Sequence, residues 1–126
     1  RGEALVKDLE AWGRVGFAGS ADGFAPADFD GLVHCTPAGM RGGSEPEASC
    51  VPRGVDLPDG FIVMDTVYAP RRTPLLEIAG SQGARTIEGI EMFRLQAEAQ
   101  FAAWTGRSAP SGLFGALLTG KKSGST

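Results

Sequence analysis

The chain has 126 residues, 42% of them hydrophobic and 21% charged, with a formal net charge of −3. This is long enough for one domain with a core of its own, and far from the low-hydrophobicity, high-charge composition of disordered chains. The acidic balance lacks the basic footprint of a phosphate-backbone binder, and no apolar run reaches the roughly 20 residues of a membrane span, so neither nucleic acid nor membrane is expected as a partner.

The first residue is Arg1 rather than a start methionine, as expected of a processed chain or of one that begins inside a longer protein. From Gly2 to Trp12 apolar residues fall at Leu5, Leu9 and Trp12, the i, i+4, i+7 spacing of an amphipathic helix, closed by Gly13. Val15 to Ala18 suits a short strand, and a Gly/Ala/Asp-rich loop follows through Asp28. Two short apolar runs come next. Gly31–Cys35 ends at Thr36-Pro37, and Phe61–Asp65 ends at a loop containing Pro70. Uninterrupted runs of this length suit strands buried on both faces, as in a parallel sheet covered by helices. The loop between them, about Thr36 to Gly60, is rich in glycine and proline, and loops that long are usually functional or poorly ordered.

Beyond the second run, Thr73-Pro74 reads as a helix start with proline at the first position, and Leu75 to Ala79 carries that helix to Gly80. Ala84 to Ile87 is a candidate short strand, and a long helix is expected from about Gly89 to Thr105. Strands alternating with helices argue an α/β fold with a parallel sheet. Residues 1–120 read as one unit, with no internal repeat, and 121–126 as a solvated tail. Cys35 and Cys50 have no paired CxxC spacing, so neither a zinc site nor a disulfide framework is signalled, and a reducing, cytoplasmic setting fits best. Cys35 and His34 are adjacent on a strand and so point to opposite faces, which excludes a Cys-His nucleophilic pair.

At about 100° per residue the long helix divides into three stripes. Ile90, Phe93, Ala97, Phe101 and Trp104 share the expected packing face, and Glu91, Arg94 and Glu98 form a charged, water-facing line. Gly89, Met92, Gln96 and Gln100 form a third stripe, neither apolar nor charged. Glutamine is a good helix former at the boundary between core and solvent, and equally a residue that lines a wet cleft; periodicity leaves both readings open.

Three separated stretches carry more. VHCTPAGM at Val33 to Met40, MDTVYAPRRTPLLEIAGSQG at Met64 to Gly83 and TIEGIEMFRLQAEAQFAAWTG at Thr86 to Gly106 resemble, in order and spacing, the C-terminal half of shikimate dehydrogenases. That family has a strand ending in Asn-Ala-Thr-Pro-x-Gly-Met. A second strand leads into Asp-x-x-Tyr-x-Pro-x-x-Thr-Pro-Leu-Leu, and a helix carries Gly-x-x-Met, then Gln, then Trp-Thr-Gly. The EMF and QAEAQF variants look most like forms related to the bifunctional enzymes, in which the dehydrogenase is fused behind a 3-dehydroquinate dehydratase. The resemblance runs from Asp28 to about Pro110.

The resemblance implies an oxidoreductase that reduces 3-dehydroshikimate to shikimate with NADPH. The fold it implies is the later half of a Rossmann-type parallel sheet domain, with the long helix packing toward a missing N-terminal substrate domain. Gln96 then hydrogen-bonds substrate hydroxyls, and Tyr68 reaches the substrate carboxylate. Thr36, Pro37 and Thr66 flank the cofactor at the strand ends, where ligands of open α/β sheets bind. Gly89 and Met92 approach the nicotinamide, the absence of a Cβ at Gly89 letting a backbone carbonyl come close. Asp65 reads as structural rather than as an acid or base.

Two positions depart from the family pattern. His34 stands where asparagine is usual, and an imidazole can still donate or accept a hydrogen bond there. Glu88 precedes Gly89 in place of aspartate or a small residue. The family's catalytic lysine and aspartate and its glycine-rich pyrophosphate turn are not among these residues; no GxGxxG occurs in the sequence. The isolated chain is therefore expected to be inactive, and half a Rossmann sheet is expected to expose an edge and an apolar face, favouring self-association. Two alternatives stay open: a non-catalytic nucleotide- or metabolite-binding module, and a quinate/shikimate dehydrogenase that uses NAD.

Overall fold

The computed structural model describes residues 2–16, 25–51 and 54–119. Its element order is α1 (Gly2–Leu9), a 3-10 turn at Glu10–Trp12, a second at Pro26–Asp28, β1 (Gly31–His34), β2 (Ile62–Asp65), α2 (Pro74–Ser81), β3 (Arg85–Ile87), α3 (Gly89–Thr105) and α4 (Leu113–Thr119). The three strands form one parallel sheet in the order β1-β2-β3, with Val33 beside Met64, His34 beside Asp65 and Met64 beside Ile87. The fold is α/β, as the alternation of elements requires.

Helix α2 starts because Thr73, extended at φ −87° and ψ 161°, caps it: its side-chain oxygen accepts from Leu76 N–H, and Pro74 fills the first helical position, where no N–H is needed. The helix packs on β2 and β3 and brings Leu75, Leu76 and Ala79 against Val63 and Phe61. Val51, from the long loop, completes this buried cluster. One side chain from the end of α2 helps to hold the loop there. The Gln82 amide accepts from Leu57 N–H at 2.8 Å and donates to Val55 C=O at 3.1 Å, doing for the loop what a strand neighbour does in a ladder. Gly39 lets the loop turn: its φ of +79° is unfavourable for a side chain, and its N–H reaches Glu45 C=O at 2.8 Å.

Among the described residues the strands are well covered on one face only. Val63 and Asp65 are fully buried, while Val33 is 60% and Ile62 36% exposed, so the expectation of burial on both faces is corrected. Side chains alternate along each strand, and α2 covers one side. Val15 and Gly16 form no strand, and the rest of the stretch expected there lies outside the described residues, as does the 121–126 tail. Helix α4 was not foreseen; Gly115 breaks the short apolar run Leu113 to Leu118 that forms it.

Helix α3 spans the predicted residues and ends on Gly106 in the left-handed region, whose N–H bonds Ala102 C=O. Its predicted packing face is not buried: Phe93 and Trp104 are exposed, Trp104 at 80%, and among the described residues of α3 only Gly89 is buried. Phe101 meets Phe114 of α4 edge-on, with ring centroids 6.2 Å apart. The charged stripe is as expected, with Arg94 bridging Glu91 and Glu98 at the water-facing surface.

At Gly89 the helix leaves the sheet through a very narrow contact. A Cβ there would lie 2.5 Å from Val67 O, 2.6 Å from Thr66 O and 2.7 Å from Asp65 O. Gly89→Ala is expected to destabilise the fold by about 1–3 kcal/mol through overpacking against main-chain atoms that have little room to move. A lower urea midpoint would register this; an unchanged midpoint would show that the helix start can back away from β2.

Candidate active-site cleft at the strand ends

Beyond β1 and β2 the chain diverges into two loops, and a cleft of about 400 Å³ opens between them. It lies at the carboxyl ends of parallel strands, where α/β sheets place ligands. Thr36 and Pro37 line one side, Thr66 and Tyr68 the other. A backbone bond, Arg41 N–H to Ala69 C=O at 2.7 Å, straps the two loops together.

Under the cleft sits Asp65, fully buried, with every contact made by a different element. Its Oδ1 accepts from Val67 N–H at 3.0 Å and meets His34 Nδ1 of β1 at 3.0 Å, and its Oδ2 accepts from the Thr73 hydroxyl at 2.6 Å. His34, itself buried, carries the network on: Nε2 lies 2.5 Å from Thr36 Oγ1, which also accepts from Ala38 N–H at 3.3 Å. A buried carboxylate is tolerated only when hydrogen-bonded in this way. No described buried side-chain polar atom lacks a partner. Asp65 is thus an anchor, and it does not face the cleft.

The residues singled out from sequence separate into two groups. Thr36, Pro37, Thr66 and Tyr68 come together at the cleft. Gly89, Met92 and Gln96 do not line it; Gly89 is buried against the end of β2, Met92 is half-buried and Gln96 is exposed on α3. The link between the groups is aromatic. Tyr68, 49% exposed, stacks on Phe93 of α3 with centroids 4.9 Å apart and planes 28° from parallel. Gln96 lies three residues beyond Phe93, on the neighbouring turn. An Arg71–Glu88 ion pair also ties the loop after β2 to the start of α3.

Met40 and Arg41 line the cleft as well, and sequence reasoning missed both. Arg41 brings a cation to the mouth, and only the loop's return from Gly39 to Ala69 puts it there. Among the described residues no group of three or more His, Cys, Asp or Glu is arranged to hold a metal ion, and no helix is long and apolar enough to cross a membrane.

The two thiols differ in setting. Cys35, just past the end of β1, is exposed, whereas its neighbour His34 is buried. Cys50 is half-buried against the core, and burial pushes its thiol pKa up, opposed by a backbone hydrogen bond and reinforced by the charge of Asp65. Since the thiolate is the reactive form, iodoacetamide at neutral pH is expected to modify Cys35 well before Cys50. Peptide mapping that found equal modification would show the loop at Cys50 opening freely.

No protein-family model matches the chain. Among curated proteins, the NADP(+) shikimate dehydrogenase of Streptococcus suis strain 05ZYH33 is 43% identical over 84 residues, 67% of this chain and 28% of that protein. Among solved structures, a shikimate dehydrogenase in complex with NADP+ superposes with a TM-score of 0.67 at 28% identity, over 77% of this chain and 33% of the other. The shikimate 5-dehydrogenase of Listeria monocytogenes, in complex with shikimate and NAD, gives a TM-score of 0.65 at 32% identity, over 73% and 31%. The chain thus spans about 28% of the length of the curated relative. Three motifs, a parallel α/β fold and these similarities agree: over about two thirds of its length the chain is similar to shikimate dehydrogenases.

Proposed function

We propose that this chain is the nicotinamide-side portion of an NADP-dependent shikimate dehydrogenase and serves the interconversion of 3-dehydroshikimate and shikimate. The observation that carries the reading is the convergence of Thr36, Pro37, Thr66 and Tyr68 on one cleft at the ends of β1 and β2. It is supported by the NADP(+) specificity in the name of the curated relative and by the cofactor in the related crystal structure.

The chemistry of the lining fits a flat, amide-bearing ring. Two threonine hydroxyls offer hydrogen bonds, while Pro37 and Val67 give apolar surface for stacking. Thr36, Pro37 and Thr66 would hold the cofactor ring, with Gly89 and Met92 at the root of α3. Bound there, NADPH supplies the hydride. The work of this chain is orientation. Tyr68, braced by Phe93, directs its hydroxyl toward a substrate carboxylate, and Gln96 offers its amide to substrate hydroxyls. Asp65 takes no proton in this scheme; it holds the two loops at their spacing.

The catalytic lysine and aspartate would come from a substrate domain that partners this chain, so the 126 residues alone are expected to show no shikimate oxidation with NADP or NAD. Measurable turnover by the isolated polypeptide would contradict the assignment of roles. In an enzyme completed by its substrate domain, Tyr68→Phe and Gln96→Ala are each expected to raise KM for shikimate and to lower kcat/KM by about 10–100-fold, the scale of losing one positioning contact. Wild-type kinetics in both variants would remove the two residues from the site.

A further inference from the structure

We infer that His34 is a positioning residue which fixes the Thr36 hydroxyl as a hydrogen-bond acceptor toward the cleft, so that the site selects a ligand presenting an N–H donor there. The argument is one of hydrogen-bond polarity, passed from atom to atom. The ligand class rests on the nicotinamide reading above; the polarity does not.

The chain of bonds starts at Asp65 Oδ1. The main-chain N–H of Val67 can only donate, so this oxygen is an acceptor, and His34 Nδ1, 3.0 Å from the same oxygen, must carry its proton and donate as well. In the inferred state the imidazole is neutral, with its proton on Nδ1 and a bare lone pair on Nε2. That lone pair faces Thr36 Oγ1, so the hydroxyl proton points inward, to the histidine. A hydroxyl has one proton and two lone pairs. Thr36 donates its one hydroxyl proton in the bond to His34 and takes the Ala38 N–H on one lone pair, which leaves a single acceptor for the cleft that it lines.

The network is built rather than incidental. Asp65 and His34 are buried, and the second carboxylate oxygen is occupied by Thr73, so the aspartate is held on three sides by partners that donate. An asparagine in place of His34 could turn either end of its amide toward Thr36, whereas a neutral imidazole tethered to Asp65 presents only an acceptor. The facing ligand group must then be a donor. The carboxamide NH₂ of nicotinamide is one; the methyl ketone of the 3-acetylpyridine analogue, equal in charge and close in shape, is not.

His34 is the single histidine of the sequence, so its ring nitrogens can be read without ambiguity in the intact chain. A long-range ¹H–¹⁵N spectrum of imidazole-labelled protein near neutral pH is expected to show Nδ1 protonated and Nε2 bare. Thr36→Val is expected to shift the Nε2 resonance toward that of a non-bonded acceptor nitrogen, and Thr36→Ser to restore it. A proton on Nε2, or an Nε2 signal indifferent to Thr36→Val, would overturn the inference. Equilibrium binding, measured in the enzyme completed by the domains that carry the pyrophosphate turn, then compares NADP with its 3-acetylpyridine analogue. The expected preference is about tenfold for NADP in the wild type, the scale of one hydrogen bond, and none in Thr36→Val. Equal binding of both dinucleotides by the wild type would overturn the selection while leaving the cofactor reading in place. The predicted tautomer with no dinucleotide binding at all would overturn the selection and the proposed function together.

Discussion

The structure depends most on a single buried carboxylate. Asp65 is out of contact with water, and an unpaired charge in that position would cost several kcal/mol. Its partners are therefore fixed in place by the energy of leaving it alone. They come from β1, from the turn after β2 and from the cap of α2, so one side chain sets how the two strands end, where the loop beyond them turns and where the next helix starts. The cleft above is a by-product of this arrangement: two loops that part because the strands beneath them are pinned at the same level.

The second constraint is steric. Three carbonyl oxygens at the end of β2 crowd the first residue of α3, and a residue without a Cβ lets the helix begin there. The observed use of the missing Cβ at Gly89 is this packing against the end of the strand. Helix α3 then runs out from the sheet with little covering it among the described residues, touching the rest through Tyr68 on Phe93 and through α4. The matched structures are about three times longer than the region they share with this chain.

Much of this was legible in the sequence because it follows from local chemistry. The apolar runs at Leu32 and at Phe61 to Met64, the Thr73-Pro74 start and the glycine-bounded length of α3 each reflect forces acting within a few residues. What stayed hidden depends on distance in space. Periodicity tells which side chains of α3 share a face, but not whether anything lies against that face, so Phe93 and Trp104 were expected inside and are exposed. Asp65 could be read as structural, while its partners His34 and Thr73, 31 and 8 residues away, could not. Arg41 reached the cleft only through the return of a long loop, and no local pattern announces such a return.

The strap across the cleft mouth, Arg41 N–H to Ala69 C=O, is made of main-chain atoms alone. Any residue but proline can supply that N–H, and any residue at all that carbonyl. The side chains at these two positions are therefore free of the task of holding the loops together. Evolution can exchange them, adding or deleting charge and bulk at the rim, while the opening keeps its width. A pocket built this way has a rigid frame with interchangeable trim, which allows one fold to drift between related polar ligands without first losing its shape.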